Sequence, residues 1–546
     1  MNGSTIPGGA AAGAAPAPTP VTTRAPGPNA PAALFLIFAV SLAFRLVVLP
    51  GSTAINMDPD AAHFLNVARC FERGQGFSNV GAWPAWMKPD SLPAPETFKE
   101  PGYSWLIWRL EPLTGGDPFR AGQWISMVGG LALPLMLYAL ARILSADRAV
   151  ALLAGLLAAA SPLLIMQSVR VMVDSIFPAS VIAAFLLAAW RPRGRPRPLA
   201  LDAAVGVALG AAFLLRGGAL IMLLPLAVLA FTHRRPGPAL AGMAVTVAAA
   251  AITASPFILR NLRLFGTWFH SDVGAYGIWP YVDHLTFNAG LERPPAPIAF
   301  ALTHIPQVIR HWLDSAALFA LHTFHERILG HQWTLPAAAG MLLALKRWRE
   351  HLFAYVFLIA STTFIFAVNW DGRYFVTAAA LWCVFAATGG VWMWRKLGPE
   401  PVAGRFTMRP LLLLLLALTM LAQLNVARQE VKRFYNPETP AAIAIAPELK
   451  RRLAKDEAVM VMTTSTYAWF ADRPTVHLVI ADRARFMATV RRLKVRMAVL
   501  PTARLAEFAA RFEGGRLPEA LVFERTEPAL GVTVFRMVDD PAESGR

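Results

Sequence analysis

Cysteine is almost absent from this chain: Cys70 and Cys383 are the only two in 546 residues. One falls in a polar loop and the other in an apolar run, so no disulfide framework is expected to hold the fold. Charge is scarce as well. Only 16% of the residues are charged, where a soluble domain carries roughly 25%, and that shortage argues against a water-soluble globule. Acids are the scarcest, 34 against 51 Lys and Arg, for a formal net charge of +17. A basic excess of that size can signal a nucleic-acid partner. Here the arginines sit in short connections between apolar runs, where the positive-inside rule needs them, so no nucleic acid is required. A Gly-rich phosphate loop of the kind that nucleotide-sugar folds use is missing too.

What the chain has in abundance is apolar length, with 56% hydrophobic residues. Runs suited to crossing about 30 Å of hydrocarbon recur near residues 31–50, 121–143, 149–168, 173–190, 200–216, 218–232, 238–257, 333–346, 351–368, 374–394 and 410–427. They predict a polytopic α-helical membrane protein of about eleven spans. Basic clusters fall at Arg142 and Arg148, 191–198, 233–237, 346–350 and 395–409. With the N-terminus in the cytoplasm all of them lie inside, and the long mixed loops 51–120 and 258–332 lie outside. Residues 1–30, rich in Ala, Pro, Gly and Thr, read as a disordered cytoplasmic tail. They lack the charged region and cleavage site of a signal peptide, so the first apolar run is expected to stay as an anchor. Residues 31–428 then form the transmembrane domain, and the pattern changes from 429 to 546. There, apolar strands alternate with amphipathic helices, and "ALVFERTEPALGVTVFRMV" reads as a closing hairpin. This predicts a small extracytoplasmic α/β domain, accessory in role.

Few ionisable residues stand inside the predicted spans; Arg45 and Arg216 lie near their outer ends. Paired charges deep in the spans and an internal repeat, which mark many transporters, are not visible. Polar chemistry gathers in the outer loops instead, which favours an enzyme acting on a lipid-borne substrate. The first loop opens with "NMDPDAAHFLNVARCFERGQGF" (56–77). Asp58 and Asp60 are either turn and helix-cap residues, Asp60 being a plausible cap, or catalytic carboxylates at the membrane surface. The stretches 61–74 and 103–113 read as interfacial helices, lying flat at headgroup level or covering the bundle. Farther on, "HTFHE" (322–326) invites a zinc reading, but His322 and His325 lack the HExxH arrangement and no metal site is assigned.

Seven segments in order resemble bacterial membrane glycosyltransferases of the dolichyl-phosphate-mannose–protein mannosyltransferase type (glycosyltransferase family 39, in the GT-C superfamily). In the first loop Asp60, Phe64, Ala68, Gly74, Gly76 and Phe77 match the family signature, with Phe64 where Tyr is commoner. "KEPGYSWLIWRL" (99–110) is similar to its Pro-Gly-Tyr helix. "SVRVMVDSIFPASVIAAF" (168–185) is similar to its second-loop segment, with Asp174 where Glu is usual. Leu215 and Arg216 match a Leu-x-Arg turn, and Pro256, Arg260, Asn261 and Gly266 match a Pro-x-x-x-Arg-Asn-x-x-x-x-Gly stretch. Arg373 and Tyr374 resemble its Arg-Tyr start of a span, and "YAWFADRPTVHL" (467–478) a segment of its outer domain.

The resemblance implies a GT-C-like fold in a bacterial inner membrane. It also implies sugar transfer from a polyprenyl-phosphate donor to a glycan, lipid or protein acceptor outside the cytoplasm, by a single inverting displacement. Such a reaction needs one base for the acceptor hydroxyl and cations for the departing lipid phosphate. Asp60 is assigned as the base, with Asp58 as second carboxylate or as the base itself. Glu100 and Asp174 are the further acids, Glu100 to orient the acceptor or hold a divalent metal. Arg260, Arg373 and Arg216, with Asn261, are assigned to the lipid phosphate. The competing readings are a lipid-linked-glycan transporter, a non-catalytic scaffold of the same architecture, and an oligosaccharide ligase relying on the 258–332 loop.

Overall fold

A helix that is apolar on every side can rest only against lipid or another helix, and most of this chain is built of such helices. The computed structural model describes residues 30–82, 89–190, 197–270, 297–368, 372–397, 401–403, 406–433, 436–480 and 482–538. All but the last residue of the tail expected at 1–30, most of the basic loop 191–198 and the middle of the 258–332 loop lie outside these residues. The protein is a polytopic α-helical membrane protein with a small C-terminal α/β region.

The bundle is built from α1 (Ala30–Val48), α4 (Pro118–Ser145), α5 (Arg148–Ala160), α6 (Pro162–Val169), α7 (Ile176–Ala189), α8 (Leu199–Leu215), α9 (Leu223–His233), α10 (Pro236–Phe265), α12 (Thr334–Leu345), α13 (Trp348–Val368), α14 (Val376–Leu397) and α15 (Met408–Lys432). Five of the described helices are long and apolar enough to span a bilayer, and a sixth results if α5 and α6 count as one. That pair bends by 54°, at Ser161, where Pro162 cannot supply the next helical N–H. The apolar helices Ile176–Ala189, Leu199–Leu215 and Gly217–His233 are shorter than a span needs. The run expected to end at 257 instead continues as helix to Phe265, so Arg260 and Asn261 are helical and not in a loop. In lipid, helices associate through close packing of small residues. Gly206 and Gly210 of α8 are four apart, and a Cβ on them would meet Thr246 O at 2.3 Å and Ala250 O at 2.7 Å on α10. Gly340 of α12 and Gly389 of α14 abut each other's backbones in the same way. Arg45 of α1 is fully buried and donates to Ser41 Oγ at 2.7 Å and Ala159 O at 3.3 Å.

The first loop supplies α2 (Pro59–Glu72) and α3 (Pro101–Leu110). The expectation of a helix lying flat at headgroup level does not describe α2: residues 61–68 and Cys70 are all buried. One side packs Phe64 edge-on against Tyr103 of α3, ring centroids 4.9 Å apart. The other side meets α17 (Thr464–Ala471) of the C-terminal region, which also holds α16 (Thr439–Arg452), α18 (Arg483–Arg492) and α19 (Leu505–Arg511). Asn66 Nδ2 donates to Ser465 O at 2.8 Å, Arg69 Nη1 to Asp472 Oδ1 at 3.1 Å and Arg73 Nη2 to Asp472 Oδ1 at 2.7 Å, while the Arg69 guanidinium lies 4.2 Å over Trp469. The helix keeps an amphipathic sequence because its charged stripe faces a protein domain rather than water. On α3, Trp105 and Arg109 do reach the surface.

The C-terminal sheet also corrects a boundary. It contains β1 (Gly81–Ala82), β2 (Ala458–Val461), β3 (Thr475–His477), β4 (Val495–Pro501), β5 (Leu521–Glu527) and β6 (Val532–Met537), in the order β1-β3-β2-β4-β6-β5. The edge strand β1 belongs to the first loop and runs parallel to β3, Gly81 opposite Thr475 and Ala82 opposite Val476. The expected hairpin is β5–β6, antiparallel. The α/β region is therefore stitched to the loop that carries Asp58 and Asp60.

Partial burial pushes the Asp472 carboxyl up, but Arg73 and Arg69 outweigh it and hold it below the usual carboxylate range. A carboxyl with a lowered folded-state pKa stabilises above its unfolded value of about 3.9, and that contribution is lost as the pH falls. Asp472→Asn is expected to cost about 1 kcal/mol at pH 7, given the pair's partial exposure. Limited proteolysis should cut the variant's α/β region faster than wild type at pH 7, with the difference shrinking toward pH 3.

Candidate active site

α2 starts at Pro59, whose missing N–H suits a first helical position. Asp58, just ahead, accepts from Asp60 N at 2.8 Å. The cap role expected for Asp60 is thus taken by Asp58. Asp60 is left to turn its carboxylate toward two cations: Lys99 Nζ stands 3.0 Å from Oδ1 and Arg373 Nη1 2.7 Å from Oδ2. The same Arg373 nitrogen is 3.7 Å from Asp58 Oδ1. Burial pushes the Asp60 carboxyl up, but Lys99 and Arg373 together, with a smaller pull from His63, hold it far below the usual range.

Lys99 is delivered by a buried clamp. Glu96, fully buried, accepts from the backbone N–H groups of Phe98 (2.5 Å) and Lys99 (2.9 Å) through Oε1. Its Oε2 is 2.8 Å from His63 Nε2, one turn along α2 from Asp60. Burial raises the Glu96 carboxyl, yet His63 and these N–H groups outweigh it and keep it low. The Lys99 ammonium also sits 5.0 Å over the Phe98 ring and 5.6 Å over that of Phe64.

A second pair stands alongside. Asp174, 1% exposed, accepts from Arg216 Nη1 at 2.7 Å, where Arg216 ends α8. The ring of Tyr374 is close to both arginines, 5.1 Å from the Arg216 guanidinium and 5.4 Å from that of Arg373. Glu100, heading α3, accepts from Gly217 N at 2.7 Å, and burial raises its carboxyl. Its position depends on the next turn: a Cβ on Gly102 would meet Leu214 O at 2.6 Å, so only glycine lets α3 lie this close to α8.

Six of the eight residues expected from the sequence are therefore neighbours: Asp58, Asp60, Glu100, Asp174, Arg216 and Arg373. Arg260 and Asn261 stand apart. Arg260 donates to Asn261 Oδ1 and to Phe77 O, both at 3.1 Å, and lies 4.7 Å over the Phe77 ring. Among the described residues no ion pair joins it to the four acids. Asn261 is fully buried, and its Nδ2 has no hydrogen-bond partner among the described residues. The rings of His322 and His325 are 6.1 Å apart, but no group of three or more His, Cys, Asp or Glu among the described residues is placed to share a metal. Lys99, His63 and Glu96 were not anticipated. The one available signal was the position of Lys99 beside Glu100 in "KEPGY".

The arrangement can receive an anion. Lys99, Arg216 and Arg373 are cations within one cluster, and an incoming phosphate competes with Asp60 for two of them. As it does so, the Asp60 oxygens gain basicity and become free to accept a proton.

Over residues 95–259 the sequence matches the family model for dolichyl-phosphate-mannose-protein mannosyltransferases, a segment that includes Lys99, Glu100, Asp174 and Arg216. No curated protein matches the chain. In three dimensions it is similar to the oligosaccharyltransferase AglB of Archaeoglobus fulgidus, with a TM-score of 0.61 at 16% identity over 93% of this chain and 74% of that one. It is also similar to ArnT of Cupriavidus metallidurans in the apo state, with a TM-score of 0.56 at 15% identity over 94% of this chain and 99% of ArnT. ArnT bound to undecaprenyl phosphate gives 0.52 at 14% identity over 93% and 98%. A family match over residues 95–259 and a fold shared along nearly the whole of this chain point the same way: the chain has the fold of these membrane proteins, and its segment 95–259 is similar to the mannosyltransferase family.

Proposed function

We propose that the protein transfers a sugar from a polyprenyl-phosphate donor to an envelope acceptor on the outer face of a bacterial inner membrane, by one inverting displacement. The observation that carries this reading is the Asp60 carboxylate held between Lys99 and Arg373, with the Arg216–Asp174 pair one tyrosine ring away. A polyprenyl phosphate occupies the ArnT neighbour, and a dolichol-phosphate the AglB neighbour. In this chain the donor phosphate draws Lys99 and Arg373 toward itself, with Arg216 completing the cradle. Asp60 then accepts the proton of the acceptor hydroxyl as its oxygen bonds to the anomeric carbon. The bond from that carbon to the phosphate oxygen breaks, and the extra negative charge on the departing lipid phosphate rests on the three cations. Glu100, anchored by the hydrogen bond it accepts from Gly217 N, is placed to orient a sugar or acceptor hydroxyl. Arg260 and Asn261 stand apart on α10 and take no part in this step.

The test is transfer of radiolabelled sugar from a panel of polyprenyl-phosphate sugars to membrane extract. Asp60→Asn is expected to lower kcat by about 10²- to 10⁴-fold with its melting temperature retained. Asp58→Asn should keep most of its transfer and lose about 1 kcal/mol of stability or less as a weakened cap. If Asp58→Asn alone is inactive, the base is Asp58; if wild type transfers from no donor, the enzyme reading fails. Arg373→Lys keeps the charge beside Asp60 but loses the planar fork, and its KM for the lipid donor should rise roughly tenfold.

A further inference from the structure

The end of the bundle away from the carboxylates holds a second polar cluster. Asp202, in the first turn of α8, precedes Arg216 by 14 residues, about 21 Å along the helix. Its Oδ1 accepts from Arg197 Nε at 2.9 Å and Arg234 Nη2 at 2.8 Å, and its Oδ2 from Arg234 Nη1 at 3.0 Å. Arg197 Nη1 donates to Leu187 O at 2.8 Å and Trp190 O at 2.6 Å, closing the end of α7. Two guanidinium groups share one carboxylate, so one positive charge is uncompensated within the cluster. The excess has an atom to go with it. The Arg197 side chain is 9% exposed, and its Nη2 is buried with no hydrogen-bond partner among the described residues. A buried donor in that state costs about 1–3 kcal/mol, and more when charged.

Beside the cluster lies a cavity of about 380 Å³, lined by Arg197, Asp202 and Arg234 at one side and by apolar groups such as Leu226, Leu229, Ala230 and Ala241 elsewhere. The volume falls in the range of roughly 300–1,000 Å³ typical of ligand sites. Water alone is poorly suited to it, because most of its wall offers no polar partner. We propose that this cavity binds an anionic phospholipid, its phosphate beside the Arg197 and Arg234 guanidinium groups that line one side and the start of an acyl chain along the apolar wall. The bound phosphate supplies the missing negative charge. This site is distinct from the donor site, and the proposal does not depend on which reaction occurs there.

Thermal unfolding of the full chain in a neutral detergent tests it, with added phosphatidylglycerol, phosphatidylcholine or inorganic phosphate. Phosphatidylglycerol is expected to raise the melting temperature by several degrees and phosphatidylcholine to leave it unchanged. Ala241→Phe fills the apolar part of the cavity from an exposed position, so it should abolish the shift without lowering the lipid-free melting temperature. Arg234→Gln removes the excess charge and should abolish it as well, and it decides the matter if the first variant is unstable. An equal shift with phosphatidylcholine, or a shift that survives in both variants, overturns the site. A shift reproduced by millimolar inorganic phosphate alone overturns its assignment to a lipid.

Discussion

The ion triad of Asp60, Lys99 and Arg373 is the constraint on which the rest of the site depends. Charges at the rim of an apolar bundle are weakly screened, so each member makes the others tolerable, and losing one leaves the remainder uncompensated. The three come from separate places: the first turn of α2, the segment leading into α3 and the turn before α14. Holding them together therefore fixes the relative position of those elements to within the length of a hydrogen bond. Much of the surrounding structure serves that end. The Glu96–His63 clamp sets the backbone at Lys99, Asp58 caps α2 so that Asp60 need not, and the ring of Tyr374 offers a face to the guanidinium groups of Arg216 and Arg373.

The bundle's contribution is stiffness without a hydrophobic driving force. Backbone-to-backbone approach at Gly206 and Gly210 locks α8 to α10, and the contact at Gly102 locks α3 to α8. α8 thus carries Arg216 at one end and Asp202 at the other as parts of a single rigid rod. On the other side of α2, the α/β region grips Arg69 and Arg73 through Asp472. The carboxylate helix is held between two bodies that have little else in common.

Much of this was legible in the sequence because it is written in composition and local pattern. Apolar runs and the bias of arginine toward short loops revealed a polytopic membrane protein, and the alternating pattern after residue 429 revealed an α/β region. Asp60, Asp174, Arg216 and Arg373 were visible because each sits in a short motif at the end of an apolar run. What was not visible depends on contacts between distant residues. β1 is two residues long and has no period to detect. Lys99 has no neighbour in the sequence that reveals its partner on α2. The choice between Asp58 and Asp60 as cap turned on where the helix begins, a one- or two-residue matter that pattern does not resolve. Helix lengths were misjudged where Pro162 interrupts the apolar run 149–168 and where the run expected to end at 257 continues to Phe265.

The pairing of β1 with β3 joins residues 81 and 475, nearly four hundred positions apart. The ribosome makes the carboxylate loop early and the strand that completes its edge late. Until β3 emerges and folds, the loop between α2 and α3 has no partner for its edge, and closing so long a connection is slow relative to local helix formation. Site assembly is consequently ordered in time: the spanning helices come first, and the acidic helix reaches its final seat only after the α/β region exists. Formation of β3 is the step that gives the carboxylate loop its last partner.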